Sequence, residues 1–190
     1  CTPWDIESLK ILEDYGMDAY KVASADLTNT ELLEALANTG KPLICSTGMS
    51  TEAEIKLAVS TLRKKGTQFI MLHCNSTYPT PNRDVNLRYL EQLSLIDQGR
   101  IVGYSGHERG YIAPTLAVAL GAKVIEKHFT IDKIMEGNDH KVSLLPFEFR
   151  AMVDQIRLAE EMLGKGGKRV ISQGEYLNRE VLAKSLVINQ

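Results

Sequence analysis

The sequence predicts an α/β fold, a (β/α)8 barrel of the TIM type that is present as an incomplete barrel, and three observations support this prediction. Short, nearly continuous apolar runs recur along the chain, as they do in buried parallel strands. Amphipathic segments with helical spacing separate the runs, so each connection is expected to be a right-handed crossover. No Gly-rich phosphate loop follows any run, which favours a barrel over an open nucleotide-binding sheet.

Five apolar runs have the length of buried strands. A complete barrel needs about 200 residues or more, yet this chain contains only about five full βα units. The opening residues 1–5 have the character of the end of one earlier strand, so we expect two or three further units before them. The predicted strands are residues 19–23, 42–46, 69–74, 101–105 and 123–128.

Helix-start and helix-stop signals lie between the first runs. Asp5 is a candidate N-cap for a helix that stops at Gly16, because an aspartate oxygen accepts from free backbone N–H groups and glycine readily adopts the helix-terminating conformation. Residues 30–40 carry the second helical pattern. Thr51 and Glu54 have the spacing of a capping box, which predicts the start of the third helix.

Three further helices are expected in the second half of the chain. Asp84 is a candidate N-cap for a helix with Leu87, Leu90 and Leu93 on one face, a spacing that produces an apolar stripe. Glycines follow both of the remaining helical patterns and predict their ends. These two helices are residues 113–120 and 146–163.

The expected domain organisation follows from these elements. Residues 1–165 are predicted to form the C-terminal part of the barrel, which is the catalytic domain. Residues 166–190 begin with a loop-like stretch rich in glycine and lysine, so they are predicted to be a linker with a short helix at residues 175–184.

Charge and composition limit the function classes. A net charge of −2 provides no basic surface for nucleic acid, and no single-sign block indicates a membrane surface. No apolar run approaches the ~18 residues of a transmembrane helix, and no segment has the pattern of a secretory signal peptide. From these patterns we expect a cytoplasmic protein with small-molecule partners. Cys1, Cys45 and Cys74 are odd in number and lack a CxxC pair, so no disulfide framework is expected.

Polar side chains follow the predicted strands at the edge where parallel barrels carry their active sites. Lys21 lies in the first run, and hydroxyls lie at the ends of three runs: Ser24, Ser46 and Ser105. A lone lysine at a strand end is more often a solvated charge. One cation with several converging hydroxyl donors is nevertheless what a phosphate monoester with a carboxylate requires, so a small anionic substrate is predicted.

Two histidines lie at the ends of consecutive strands. His107 and His128 are expected to be near neighbours, because adjacent strands lie ~4.8 Å apart, and they could share one divalent cation. Each could equally be a hydrogen-bonded core or rim histidine. Glu126 should point to the same side of the sheet as His128, where it could orient the histidine or form a structural ion pair with a cation of a neighbouring strand.

Two loop residues beyond the strand ends are candidates for contacting sugar hydroxyls. Tyr78 lies within Tyr-Pro-Thr-Pro and Asp139 lies within Gly-Asn-Asp-His. Turn formation is the commoner role of residues in such loops, and that alternative stays open from the sequence.

Six motifs in order resemble the sialic acid synthase family over essentially the whole chain. They are Tyr-Lys-Val-Ala-Ser, Ser-Thr-Gly-Met, Leu-His-Cys followed by Tyr-Pro-Thr-Pro, Gly-Tyr-Ser-Gly-His, Glu-Lys-His-Phe-Thr and Gly-Asn-Asp-His. The resemblance implies a cytoplasmic homodimer in which the barrel precedes a small antifreeze-like domain. It therefore implies that both ends are cut short here and that residues 166–190 lead toward that domain.

The resemblance also implies roles for individual residues. Members of the family condense phosphoenolpyruvate with N-acetylmannosamine or a related N-acetylated hexosamine, assisted by Mn²⁺ or Mg²⁺, to give a nonulosonic acid and phosphate. Phosphoenolpyruvate would be bound by Lys21, Ser24, Ser46 and Ser105, the metal by His107 and His128, and the amino sugar by Ser76, Tyr78 and Asp139. The residues implied to be catalytic are Lys21, Asp26 and His128, although Asp26 replaces a glutamate of some relatives.

Further residues that the family reaction needs are expected on segments outside this chain, so the 190 residues alone are predicted to be inactive. Two other interpretations stay open. Lys21 could be the Schiff-base lysine of a class I aldolase, which needs an apolar pocket and no metal. The chain could also belong to a catalytically silent module that binds sugar or phosphoenolpyruvate.

Overall fold

A computed structural model describes residues 1–184, and within it five parallel strands form one sheet in sequence order. Seven α-helices accompany the strands in the described part of the chain. The order of elements is α1 (Ile6–Asp14), β1 (Tyr20–Val22), α2 (Thr30–Asn38), β2 (Leu43–Ser46), α3 (Glu52–Lys64), β3 (Phe69–Cys74), α4 (Tyr89–Ile96), β4 (Val102–Gly106), α5 (Ile112–Ala119), β5 (Val124–Lys127), α6 (Pro146–Leu163) and α7 (Gln173–Leu182).

The sheet curls into half of a barrel, which confirms the predicted fold class. The two edge strands β1 and β5 do not pair with each other, yet the Lys21 ammonium of β1 reaches the Glu126 carboxylate of β5 at 3.5 Å. The curl follows from the twist between adjacent strands. It makes the interior face of the sheet concave and brings the carboxyl ends of all five strands together.

The hydrophobic core lies between the outer face of the sheet and the helices. Leu36 of α2, Leu62 of α3 and Leu93 of α4 are fully buried against it. A second cluster joins Val118 of α5 to Met152 of α6. This layer covers the outer face of the sheet and leaves the strand ends to carry polar side chains.

Most predicted helix signals are confirmed. The Asp5 carboxylate accepts from the Ser8 N–H at 2.6 Å. Thr51 and Glu54 form a capping box at the start of α3, and α6 spans the predicted residues. All three cysteines are free, and among the described helices none is long and apolar enough to cross a membrane.

The predicted cap at Asp84 is wrong. Asp84 lies in a short 3-10 helix (Asn82–Asp84), and α4 begins only at Tyr89 behind Arg88, which makes no side-chain cap bond. Asn86 has a φ of 47°, a left-handed conformation that a helix cannot continue through. The backbone between the aspartate and the leucine stripe is therefore interrupted.

The predicted linker contains the helix α7, whose start is capped by Ser172 and Glu175. None of the residues of α7 is buried. The assignment of residues 166–190 as a linker stays a prediction, and its last part, residues 185–190, lies outside the described residues.

Candidate functional site

A cavity of about 270 Å³ opens at the carboxyl ends of the strands. Side chains or adjoining loop residues of all five strands contribute to its wall. The structure brings nine of the predicted site residues together there, together with Glu126: Lys21, Ser24, Ser46, Ser76, Tyr78, Ser105, His107, His128 and Asp139.

Asp26 is the one predicted site residue that does not line this cavity. It ends a 3-10 helix (Ser24–Asp26) that turns the chain away after β1. One oxygen of its carboxylate is buried without a hydrogen-bond partner among the described residues. The catalytic role of Asp26 stays a prediction.

Lys21 provides the positive charge of the cavity. Its side chain is only 17% exposed, and its ammonium donates to the Val22 carbonyl at 2.9 Å and faces the Glu126 carboxylate at 3.5 Å. Ser46 Oγ lies 3.4 Å from the same carboxylate. Both contacts to Glu126 are long, so the ammonium and the hydroxyl keep the capacity to donate to a bound anion.

Gly48, a position that the sequence analysis missed, contacts the cavity-lining residue Ser24. Its N–H donates to Ser24 Oγ at 3.1 Å. A Cβ at this position would lie 2.1 Å from Ser76 Oγ and 2.8 Å from Ser24 Oγ, distances that would force both hydroxyls away. The glycine in Ser-Thr-Gly-Met was the available signal, but only the fold shows which side chains approach its backbone.

The other missed residues lie at the mouth of the cavity. Trp4 and Met49 line it and are 62% and 71% exposed. Met49 has a φ of 63°, which is uncommon for a residue with a side chain. In the sequence, both residues look like ordinary loop residues. No local pattern therefore identified them as residues that line a cavity.

The two predicted metal ligands are in contact. The ring centroids of His107 and His128 lie 5.0 Å apart at an interplanar angle of 77°, and the Tyr78 ring lies 4.1 Å from His107. His107 Nδ1 lies 2.7 Å from the Asn75 carbonyl. Since a carbonyl oxygen only accepts, Nδ1 carries the proton and Nε2 is left with a free lone pair.

The electrostatics of His128 favour a neutral ring. Burial lowers the pKa of His128, because desolvation disfavours the charged form of the ring. Asp139 Oδ2 lies 3.9 Å from His128 Nδ1 and acts in the opposite direction. A neutral imidazole is the form that binds a metal.

The donor set fits a divalent cation only as an open site. Across residues 1–184, no group of three or more His, Cys, Asp or Glu side chains is arranged to hold a metal. His107 and His128 could supply two nitrogen ligands, which leaves the remaining positions of a four- to six-coordinate ion to water and substrate oxygens. Open coordination positions of this kind are typical of a metal that binds the substrate directly, whereas a structural metal has all its positions filled by protein ligands.

Comparison with known proteins finds relatives that match nearly the whole chain. A 43% identical N,N'-diacetyllegionaminic acid synthase of Campylobacter jejuni matches 98% of this chain and 56% of its own length. An uncharacterised protein of Methanocaldococcus jannaschii is 48% identical, over 93% of this chain and 58% of that protein. The chain thus spans a little over half the length of these curated relatives.

A solved structure shares the fold. The N-acetylneuraminic acid synthetase of Leptospira borgpetersenii, crystallised with citrate, superposes with a TM-score of 0.85 at 37% identity, covering 97% of this chain and 65% of that one. The model of the NeuB family matches residues 1–168. The chain therefore belongs to the NeuB family, the family of sialic acid synthases that its motifs resemble.

Proposed function

We propose that this chain carries the phosphoenolpyruvate and metal sites and part of the amino-sugar site of a nonulosonic acid synthase. The reaction would join phosphoenolpyruvate to N-acetylmannosamine or a related N-acetylated hexosamine and release phosphate. The observation that carries the proposal is the convergence of Lys21, three serine hydroxyls and the His107–His128 pair on one cavity. The names of the relatives, synthases of legionaminic and N-acetylneuraminic acids, agree with this reaction class.

Phosphoenolpyruvate would lie at the Lys21 end of the cavity. The Lys21 ammonium and the hydroxyls of Ser24, Ser46 and Ser105 would donate to its phosphate and carboxylate oxygens, and charge-assisted hydrogen bonds of this kind are the strong ones. Lys21 would also offset the negative charge that develops as phosphate departs. Gly48 keeps the approach to two hydroxyls open.

The amino sugar would lie at the histidine end. A divalent cation, Mn²⁺ or Mg²⁺, held by His107 and His128 would act as a Lewis acid toward the aldehyde of the open-chain sugar. Tyr78, Ser76 and Asp139 would contact the sugar from the loops. The C3 atom of phosphoenolpyruvate would form the new bond to the aldehyde carbon, water would add at C2, and phosphate would leave with its bridging oxygen.

The surroundings of Lys21 favour this reaction over the class I aldolase alternative. A Schiff-base lysine needs an apolar pocket, whereas Lys21 Nζ is surrounded by a carboxylate and a backbone carbonyl, at 3.5 Å and 2.9 Å. Glu126 forms an ion pair, which is one of its two expected roles, but its partner Lys21 lies on the opposite edge strand and not on a neighbouring one. A catalytically silent module is the remaining alternative.

The decisive experiment measures phosphate release by the full-length gene product. The protein receives phosphoenolpyruvate, Mn²⁺ and each of several N-acetylated hexosamines, with and without chelator. We expect release that needs both sugar and metal and is lost in His128→Ala. His140→Ala is the matched control, because His140 lies outside the cavity lining and should leave release unchanged.

Two other outcomes would contradict the proposal. Tight phosphoenolpyruvate binding without release for any sugar would favour a silent binding module. Pyruvate trapped on Lys21 by borohydride, with activity that survives the chelator, would favour the class I aldolase. The family resemblance further leads us to propose a cytoplasmic homodimer, and sedimentation of the full-length product would test the dimer.

A further inference from the structure

A buried ion pair lies directly behind the two proposed metal ligands. Lys127 Nζ lies 2.8 Å from Glu108 Oε1, and the side chains are 0% and 3% exposed. Glu108 follows His107 in the chain and Lys127 precedes His128. Because side chains alternate across a strand, the pair lies on the outer face of the sheet while the histidines face the cavity.

The carboxylate of Glu108 is held on several sides. Tyr104 Oη donates to Glu108 Oε2 at 2.5 Å, and Lys127 Nζ also donates to the Glu108 backbone carbonyl. A Cβ at Gly106 would lie 2.5 Å and 2.9 Å from the two carboxylate oxygens, so the carboxylate lies against the bare backbone there. The position of Glu108 relative to β4 is therefore tightly defined.

The pair links the two strand ends where the backbone ladder stops. The pairing of β4 with β5 ends at Gly106 and Lys127, so each histidine is the first residue beyond its strand. The backbone carbonyls of His107 and His128 accept from different loops, from Thr80 N–H at 3.1 Å and from Leu144 N–H at 2.8 Å. Neither of these bonds connects one histidine to the other, whereas the ion pair connects their immediate neighbours.

We propose that Glu108 and Lys127 are positioning residues that hold the imidazoles of His107 and His128 at the separation needed to share one divalent cation. The role of the cation rests on the proposed function, but the positioning of the rings does not. Mutation of groups that hydrogen-bond to metal ligands typically weakens metal binding about tenfold to a hundredfold, and we expect the lower end of this range for a pair that acts through the backbone of the adjacent residues. A buried ion pair is weak support for stability by itself, since apolar replacements of both partners are often equally stable, so a geometric role explains its presence better.

A second buried ion pair provides a matched control. Arg63 Nη2 lies 2.6 Å from Asp97 Oδ1, with side chains 22% and 0% exposed. This pair joins the C-terminal end of α3 to the C-terminal end of α4, close to the amino ends of the strands. Arg63→Met removes the cationic partner of a buried carboxylate just as Lys127→Met does, without touching the strand ends that carry the histidines.

The test uses crystal structures of the metal-free full-length product and Mn²⁺ binding followed by electron paramagnetic resonance. Lys127→Met and the double variant Glu108→Gln/Lys127→Met are compared with Arg63→Met, and the double variant leaves no buried charge if the single variant folds poorly. We expect the two rings to depart from their 5.0 Å separation by more than about 0.5 Å, a displacement that impairs a functional site. Mn²⁺ affinity should fall at least about tenfold, while Arg63→Met changes neither quantity.

Two results would overturn the proposal. The first is a double variant whose rings stay in place and whose Mn²⁺ affinity is unchanged. The second is an equal loss of ring geometry in Arg63→Met, which would make the effect one of general destabilisation. Wild-type protein that fails to bind Mn²⁺ would instead contradict the proposed metal site, and the ring positions in the metal-free variants would still decide the positioning role.

Discussion

The two ends of the sheet carry the same kinds of charged residues in different arrangements. At the amino ends, Arg63 contacts Asp97 and Lys41 contacts Glu13, each at 2.6 Å. Inside the cavity at the carboxyl ends, Lys21 lies 3.5 Å from Glu126. Close pairs use their hydrogen-bonding capacity on each other and connect neighbouring elements of the fold, whereas loosely paired groups can still bind a ligand. The comparison predicts that mutations at the amino ends reduce stability and those in the cavity reduce binding.

The largest effect is expected from breaking the amino-end pair. Arg63→Met would leave the fully buried Asp97 without its cation, and an uncompensated buried charge costs about 3 kcal/mol. Urea denaturation should show this loss while phosphoenolpyruvate affinity stays unchanged. Arg157→Met is the matched control, because Arg157 and Glu160 form an exposed pair, 72% and 45% accessible, and should cost less than about 1 kcal/mol. Equal costs would remove the distinction between buried and exposed pairs.

The second prediction concerns a cavity residue, for which we expect weaker binding and nearly unchanged stability. Lys21→Met should weaken phosphoenolpyruvate binding by about 2 kcal/mol, roughly thirtyfold, because a charge-assisted hydrogen bond to the anion is lost. The unfolding free energy should change little, since the Glu126 side chain is 40% exposed and can be hydrated. Calorimetric titration and urea denaturation measure the two quantities. Lys41→Met, with the same charge change at the amino ends, should leave binding intact, and an equal loss would indicate only long-range electrostatics.

A smaller effect is expected at the glycine beneath the cavity. Gly48→Ala would place a Cβ 2.1 Å from Ser76 Oγ, and overpacking of this kind costs about 1 kcal/mol or more. Phosphoenolpyruvate binding should weaken because Ser24 is displaced as well. Gly174→Ala has no atom within 4 Å of its new Cβ and lies in a helix, where alanine is favoured, so it should be neutral or slightly stabilising. Unchanged binding in Gly48→Ala would contradict the proposed anion subsite.

The smallest effect concerns acid stability at the amino ends. Hydrogen bonds from Lys41 and then Tyr20 lower the pKa of the Glu13 carboxyl, so the folded state favours its ionised form. The stability from this group is present above the unfolded pKa, about 4.3, and is lost as the pH falls through the lower folded pKa. Glu13→Gln should therefore flatten part of the decline of the unfolding free energy below about pH 4.3. Urea titrations across this range measure it. Glu7→Gln is the matched control, because the Glu7 side chain is 80% exposed on the same helix.

Local patterns determined most of the fold. The strands and their order follow from the spacing of apolar runs, and the helix starts at Asp5 and Thr51 follow from caps whose partners lie within three residues. The prediction failed at Asp84, where the left-handed Asn86 interrupts a pattern that looks continuous in sequence. A left-handed backbone conformation at a single residue does not change the spacing of apolar residues in the sequence. Only the three-dimensional structure therefore revealed it.

The sequence by itself determined which residues collect at the carboxyl ends of the strands, because parallel strands in register carry their ends to one edge. The tertiary structure decided which of those residues touch. The contact of Lys21 with Glu126 needs the curl of the whole sheet, the clearance at Gly48 needs the loop after β3, and the pair of Glu108 with Lys127 needs the packing of two strand ends. Each of these contacts joins residues far apart in the chain, and a distance set by sheet curvature and burial leaves no periodic signal in the sequence.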